Sequence, residues 1–220
     1  MNEVRLVEDL LRAEYVALLP SMQRILAQVE TEVRYALLPL TLPLDRYERI
    51  LVRGRLKECE SAVDSLRRRQ EGGRFVPEDP ERYSLTTLPD IVGVRVLTFP
   101  RRHFESVQRL LSPMTDSWTR DHLSGLNPTD SPVALKYDGF RNPTDAVKVE
   151  IQIVSLLVGL FWEVEHTAIY KPSPRLRGVE KSPAMQTKTA AVLTALRDFE
   201  EEFDRQIDDA ESARTAPTPR

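Results

Sequence analysis

Between Ala146 and Lys171 the chain reads AVKVEIQIVSLLVGLFWEVEHTAIYK, and within it the period of the apolar residues changes once. Val147, Val149, Ile151 and Ile153 alternate with Lys148, Glu150 and Gln152, which predicts a strand with one apolar and one polar face. From Leu156 the pattern takes helical spacing, with Leu160 and Glu163 following around the aromatic pair Phe161 and Trp162. This transition is the tightest constraint on the fold. A strand of this kind needs a sheet, and a helix joined directly to it needs to pack beside that sheet.

The rest of the chain supplies the sheet. Asp90 to Phe99, DIVGVRVLTF, is a β-branched run that reads as a buried strand. Ile50, Val52, Gly54 and Leu56 alternate with Leu51, Arg53, Arg55 and Lys57, predicting a strand with three cations on one face. MTDSWTRDHL and SPVALKYDGF add two more strands, while Glu58 to Gln70 and RRHFESVQRLLS read as helices. Leu6, Leu10, Leu11, Met22, Ile25, Leu26, Val29, Val33 and Leu37 fall at helical spacing, with Pro20 expected to divide that helix or kink it. A last helix is predicted from Gln186 to Asp209, with Val192, Leu196, Phe199, Phe203 and Ile207 on one face. The expected architecture is α+β: a mixed sheet of about five strands flanked by helices, with helical N- and C-terminal extensions. Its segments are 1–44 (helical), 45–180 (the sheet domain), 181–209 (the last helix) and 210–220 (a disordered tail).

A chain of 220 residues with 41% hydrophobic and 30% charged residues can bury one substantial core. Its formal charge of -3 leaves no global basic field for a nucleic-acid backbone, so an anionic ligand has to be held by a local cluster of cations. Cys59 is the single cysteine, which excludes a disulfide framework and a cysteine-rich zinc site. The acidic, amphipathic MNEVRLVEDL is unlike a signal peptide, and no apolar run approaches bilayer length. A soluble, cytoplasmic protein without a membrane partner is expected. The apolar face of the last helix either packs on the domain or meets another chain, so a homo-oligomer is one of two outcomes.

Four clusters could carry chemistry. Arg53, Arg55 and Lys57, with Arg67, Arg68 and Arg69 beyond them, repel one another unless an anion such as phosphate neutralises them; the plain alternative is a solvated edge strand guarded by cations. Asp90 opens the strongest strand and Arg95 lies within it, so the two could simply pair. Glu150 and Gln152 could be solvent-facing, but Asp90 and Glu150 brought together would form a Mg²⁺ site that takes its remaining ligands from water and substrate phosphates. Trp162, His166 and Tyr170 share one helix face, where a packed histidine is the ordinary reading.

Taken in order, these residues make a pattern: R-x-K…S at Arg55, Lys57 and Ser61; D-I-x-G-x-R at Asp90, Gly93 and Arg95; E-I-Q-I from Glu150; then W-x-x-E-H…Y-K at Trp162, Glu165, His166, Tyr170 and Lys171. The arrangement resembles the nucleotidyltransferase domain of the RelA/SpoT family, and the chain length is similar to that of its small alarmone synthetases. The resemblance spans roughly Arg46 to Lys171. Two features depart from it. The family's G-Y-x-S-x-H segment, whose tyrosine stacks on the acceptor guanine, has no counterpart in SGLNPTDSPVALKYDGFRN, where Tyr137 or Phe140 is the aromatic expected to stand in. Val154 and Ser65 also stand where the family usually has cations.

The resemblance implies transfer of the β,γ-pyrophosphate of ATP to the 3′-hydroxyl of GDP or GTP, with Mg²⁺ as cofactor. It assigns Arg55, Lys57 and Arg95 to the ATP phosphates and Asp90 and Glu150 to the metal and to catalysis; Ser61, from the same motif, and Arg53, from the cationic strand face, are added to the nucleotide site. Gln152, Glu165, His166 and Lys171 support the site. Two alternatives stand beside it: a toxin-like member acting on the 3′ end of tRNA, whose stem would lie along Arg67–Arg69, Arg101, Arg102 and His103, and a degenerate domain that binds a nucleotide or a partner without turnover.

Overall fold

A computed structural model describes residues 2–76, 80–123, 134–165 and 182–215. Its elements run α1 (Asn2–Ala36), α2 (Leu38–Thr41), β1 (Arg49–Leu56), α3 (Cys59–Arg69), β2 (Val92–Phe99), α4 (His103–Thr115), β3 (Thr119–Leu123), β4 (Ala134–Gly139), β5 (Val149–Ser155), α5 (Leu156–Glu165) and α6 (Pro183–Thr215), with short 3₁₀ turns between α3 and β2. The sheet is mixed, in the order β1-β2-β5-β4-β3. Its central pair, β2 and β5, is parallel, and every other pairing is antiparallel. The expected α+β architecture with about five strands is therefore observed.

The alternation read in the sequence fixes which face meets the core. Val52, Val94, Val96, Ile151, Ile153 and Leu135 turn to one side of the sheet, where Met22, Ile25, Val29 and Val33 of α1 and Val107 and Leu111 of α4 close over them. The opposite face is apolar only at one end, where Leu97, Ala134, Val154 and Val158 form a smaller cluster covered by Leu160, Trp162, Leu193 and Leu196 of α5 and α6. No helix among the described residues is long and apolar enough to cross a membrane.

Three expectations change in detail. Helix α1 runs uninterrupted through Pro20. The acceptor that proline leaves without its N–H is the carbonyl of Val16, a residue 67% exposed, so water can serve it. Helix α6 continues to Thr215, six residues into the segment expected to be a tail; Glu211, Ser212, Ala213 and Arg214 contain no helix breaker, and Arg102 reaches Glu211 at 2.8 Å. The buried stripe of α6 also differs from the predicted one. Val192 and Phe199 are exposed, and the stripe passes through Leu193, Leu196, Glu200 and Phe203, with Glu200 only 1% exposed. Glu200 accepts the Leu157 backbone N–H at 3.2 Å, one of the donors that the first turn of α5 leaves unpaired. Burial pushes the Glu200 carboxyl up, against the Leu157 hydrogen bond that pulls it down.

Candidate active site

The strand register lays the polar residues out in rows. Arg53 of β1 stands beside Arg95 of β2, then Gln152 of β5 and Lys136 of β4. Two residues along, the next row is Arg55, Gly93, Glu150 and Asp138. Because side chains alternate across a sheet, both rows point away from the main core. Lys57 follows β1 directly, its backbone N–H bonded to the Ile91 carbonyl at 3.0 Å and its own carbonyl accepting the Tyr15 hydroxyl at 2.8 Å, so α1 helps to hold it.

Helix α5 supplies a wall. It approaches so closely that a Cβ on Gly159 would stand 2.3 Å from Leu97 Cδ2, and only glycine permits that contact. Its last turn brings Trp162, Glu163 and Glu165 over the polar rows. Between this wall, α3 and the sheet lies a cleft of about 1000 Å³, lined by Arg53, Arg55, Lys57, Arg68, Arg69, Arg95 and Lys136 with Ser61, Asp90, Gln152 and the three α5 residues.

Three of the carboxylates in and beneath the cleft are each flanked by two cations. Asp90 is paired with Lys57 and has Arg69 at 3.9 Å. Glu150, 7% exposed, has Lys136 at 3.7 Å and Arg55 at 3.9 Å. Glu163 is 2.7 Å from Arg53 and 3.9 Å from Arg95. Arg55 reaches Glu150 by lying across Gly93, where a Cβ would be 3.2 Å from the Arg55 Nε. Gln152 links the rows: its carbonyl oxygen accepts from Arg95 Nε at 3.0 Å and its amide donates to Glu150 Oε1 at 2.6 Å. Each neighbour demands one end of the amide, so its orientation is determined.

These surroundings set the charge states. Burial is the largest influence on Asp90 and would raise its pKa, but the hydrogen bond and charge of Lys57, with Arg69 and Arg55, outweigh it and hold the carboxyl below the ordinary range. Burial, then the neighbouring Arg55, lowers Arg95, against the pull of Glu163 and Glu150. Asp90 Oδ1 is buried and accepts no hydrogen bond. A buried, ionised carboxylate oxygen with an open acceptor position is what a hard divalent cation requires, and Glu150 offers a second carboxylate on the same face. Among the described residues no group of three or more His, Cys, Asp or Glu side chains could hold a metal unaided. The donor set therefore fits a cation of the Mg²⁺ type that takes its other ligands from water and phosphate.

Arg53, Arg55, Lys57, Ser61, Asp90, Arg95, Gln152 and Glu165 all line this cleft, with Glu150 beneath Arg55 and Lys136. His166 and Lys171 lie outside the described residues. Tyr137 requires a correction. It pairs with Ile151 and so turns to the core face, 6% exposed, where burial raises the phenol and Gln108 of α4 hydrogen-bonds it. Phe140 is 43% exposed just past β4, with Lys148 Nζ 5.8 Å from its ring centroid, and does not line the cleft.

Lys136 and Glu163 are cleft residues that the sequence reading did not select, and Trp162, singled out there for its helix face and motif, was given no role. Alternation in ALKYDG marks Lys136 and Asp138 as facing opposite to Tyr137, so that signal was present. For Glu163 there was none, because its partners lie on strands far away in the chain. The cations considered for a nucleic-acid groove are paired internally: Arg101 with Glu201 at 3.0 Å, Arg102 with Glu211 at 2.8 Å, His103 with Glu48 at 2.9 Å and Arg67 with Asp64 at 2.7 Å.

No protein-family model matches the chain, and no curated protein matches it. Solved structures do. The small alarmone synthetase 1 from Bacillus subtilis bound to its product pppGpp superposes with a TM-score of 0.64 at 18% identity, covering 89% of this chain and 97% of that one. The same enzyme bound to AMPCPP gives 0.60 at 18% identity, over 90% and 99% of the two chains. A GTP pyrophosphokinase family protein from Streptococcus pneumoniae gives 0.60 at 18% identity, over 94% and 98%. The fold is that of the small alarmone synthetases.

Proposed function

We propose that the chain is a pyrophosphokinase that moves the β,γ-pyrophosphate of ATP to the 3′-hydroxyl of GDP or GTP. The observation that carries this reading is the buried Asp90 Oδ1, without a hydrogen bond in a cleft that gathers seven Arg and Lys side chains. The shared fold supports it, as does the binding of AMPCPP and pppGpp by a protein of that fold.

The residues suit the reaction. The 3′-oxygen attacks the β-phosphorus of ATP, the bond from that phosphorus to the oxygen bridging the α-phosphate breaks, and AMP leaves with that oxygen. Such transfer needs positioning and neutralisation of anionic oxygens more than a nucleophilic side chain. Arg55, Lys57 and Arg95 hold the polyphosphate, with Arg53 and Ser61 at its margins. Glu150 orients the attacking hydroxyl and accepts its proton, and Gln152 keeps Glu150 in place. A Mg²⁺ ion on Asp90 and Glu150 would neutralise charge on the transferred group. Synthesis without hydrolysis is the activity proposed for this domain.

The test is purified protein with Mg²⁺ and γ-labelled ATP, separately with GDP, GTP and deacylated tRNA. Label on a guanine nucleotide, lost in Glu150→Gln, is the expected result. Label on tRNA alone would replace the acceptor, and no transfer to any of the three would overturn the reading.

A further inference from the structure

The strand order sorts the cations of the cleft to two sides of Glu150. Arg53 and Arg55 of β1, Lys57 after it, Arg68 and Arg69 of α3 and Arg95 of β2 come from the side of β1. Among the described residues, Lys136 of β4 is the only cation lining the cleft from the other side, with β5 and Glu150 between. Its Nζ lies 3.7 Å from Glu150 Oε2, and its side chain is 28% exposed. That pairing does little to hold the carboxylate. Glu150 already accepts from Gln152 at 2.6 Å, whereas 3.7 Å is beyond hydrogen-bond length. The ammonium donors of Lys136 are therefore not committed to Glu150.

Resting on the reading of the cleft as a pyrophosphokinase site, we infer that Lys136 binds the 5′-phosphate of the acceptor and makes the site select nucleotides over nucleosides. The donor polyphosphate belongs on the side that gathers the other cations. Transfer requires the acceptor hydroxyl to meet it at Glu150, so the acceptor takes the side of β4. A nucleoside diphosphate brings its own negative charges there, next to those of the donor, and the two repel unless a cation stands with the second ligand. Lys136 is that cation. It is so close to Glu150 that a ribose whose 3′-oxygen meets the carboxylate presents its 5′ end within reach of the flexible lysine stem. An ammonium is a compact charge without the fixed fork of a guanidinium, so it accepts a diphosphate or a triphosphate alike. The residue therefore separates GDP from guanosine, and not GDP from GTP.

The test measures binding of guanosine, GDP and GTP to protein saturated with Mg²⁺ and an ATP analogue whose α- and β-phosphates are joined by a methylene, which blocks transfer. The parent protein should bind both nucleotides more tightly than guanosine. Lys136→Met should weaken GDP and GTP by about 10- to 150-fold, the range for loss of one charge-assisted hydrogen bond, and guanosine far less. Lys136→Arg, which keeps the charge, should recover most of the loss. Affinity for the analogue, measured without acceptor, should change much less than affinity for GDP. Equal weakening of guanosine and GDP would mean that Lys136 acts on Glu150 or the sugar and would overturn the inference. So would an equal loss of the analogue, or no weakening at all. If Lys136→Met does not fold, the parent protein decides: a preference for GDP that shrinks as ionic strength rises supports the inference, and equal affinity for guanosine and GDP overturns it. A parent protein that binds neither the analogue nor any of the three acceptors would overturn the pyrophosphokinase reading itself, a distinguishable failure.

Discussion

Gln152 donates a 2.6 Å hydrogen bond to Glu150, and its other end is held by Arg95 at 3.0 Å. The carboxylate proposed to face the attacking hydroxyl is thus oriented by a neutral amide that has no freedom to flip. Gln152→Leu should lower kcat by about 10- to 100-fold, as for other groups that orient a ligating carboxylate. Its effect on ATP binding should be far smaller. A kcat/KM split measured by steady-state kinetics checks this, and an equal loss in binding would show that Gln152 touches the ligand.

Glu163 stands between Arg53 and Arg95 where an anion would otherwise bind. Glu163→Gln should tighten binding of Mg²⁺-ATP. The pair is substantially exposed, so the gain is modest, at most about fivefold. Titration at low and high salt should show the gain shrinking as ionic strength rises.

Glu200 is buried with its carboxyl raised, so its ionised form is disfavoured by folding. The sign follows from linkage. A carboxyl whose folded pKa lies above its unfolded value contributes most below the ordinary glutamate range, and stability falls as pH rises through the folded value. Glu200→Gln keeps the acceptor for Leu157 and removes the charge. It should melt above the parent protein at pH 8, with the difference closing toward pH 4. A constant difference across that range would mean that Glu200 does not titrate with folding.

Gly159→Ala places a methyl 2.3 Å from Leu97 Cδ2. Overpacking of this kind should destabilise by about 1–3 kcal/mol and lift α5 from the sheet. Denaturant melts measure the first effect, and the accompanying loss of Arg53–Glu163 contact should appear as altered salt dependence of nucleotide binding.

The sequence was informative where local period decides the outcome. Alternation at Val147 to Ile153 identified β5 and placed Glu150 and Gln152 together on the face that proved to hold the cleft. The same rule applied to Leu135, Lys136 and Tyr137 would have sent Tyr137 to the core and Lys136 to the site. Long-range packing was not legible. Val192 and Phe199 match a helical apolar stripe as well as Leu193 does, and the most buried position on α6 is a glutamate whose burial depends on an N–H more than forty residues away. Glu163 became a site residue only through strands β1 and β2.

The two polar rows also restrict how such a chain can be edited. A strand turns a side chain over with every residue, so a one-residue insertion between Arg53 and Lys57 would carry Arg53 through the sheet into the apolar layer and bring Val52 out. Gains and losses in β1, β2 and β5 are tolerable only in pairs, whereas the connections between strands can change length one residue at a time. Across homologues, length variation should therefore gather in the loops and leave the spacing from Arg53 to Lys57 and from Glu150 to Gln152 untouched.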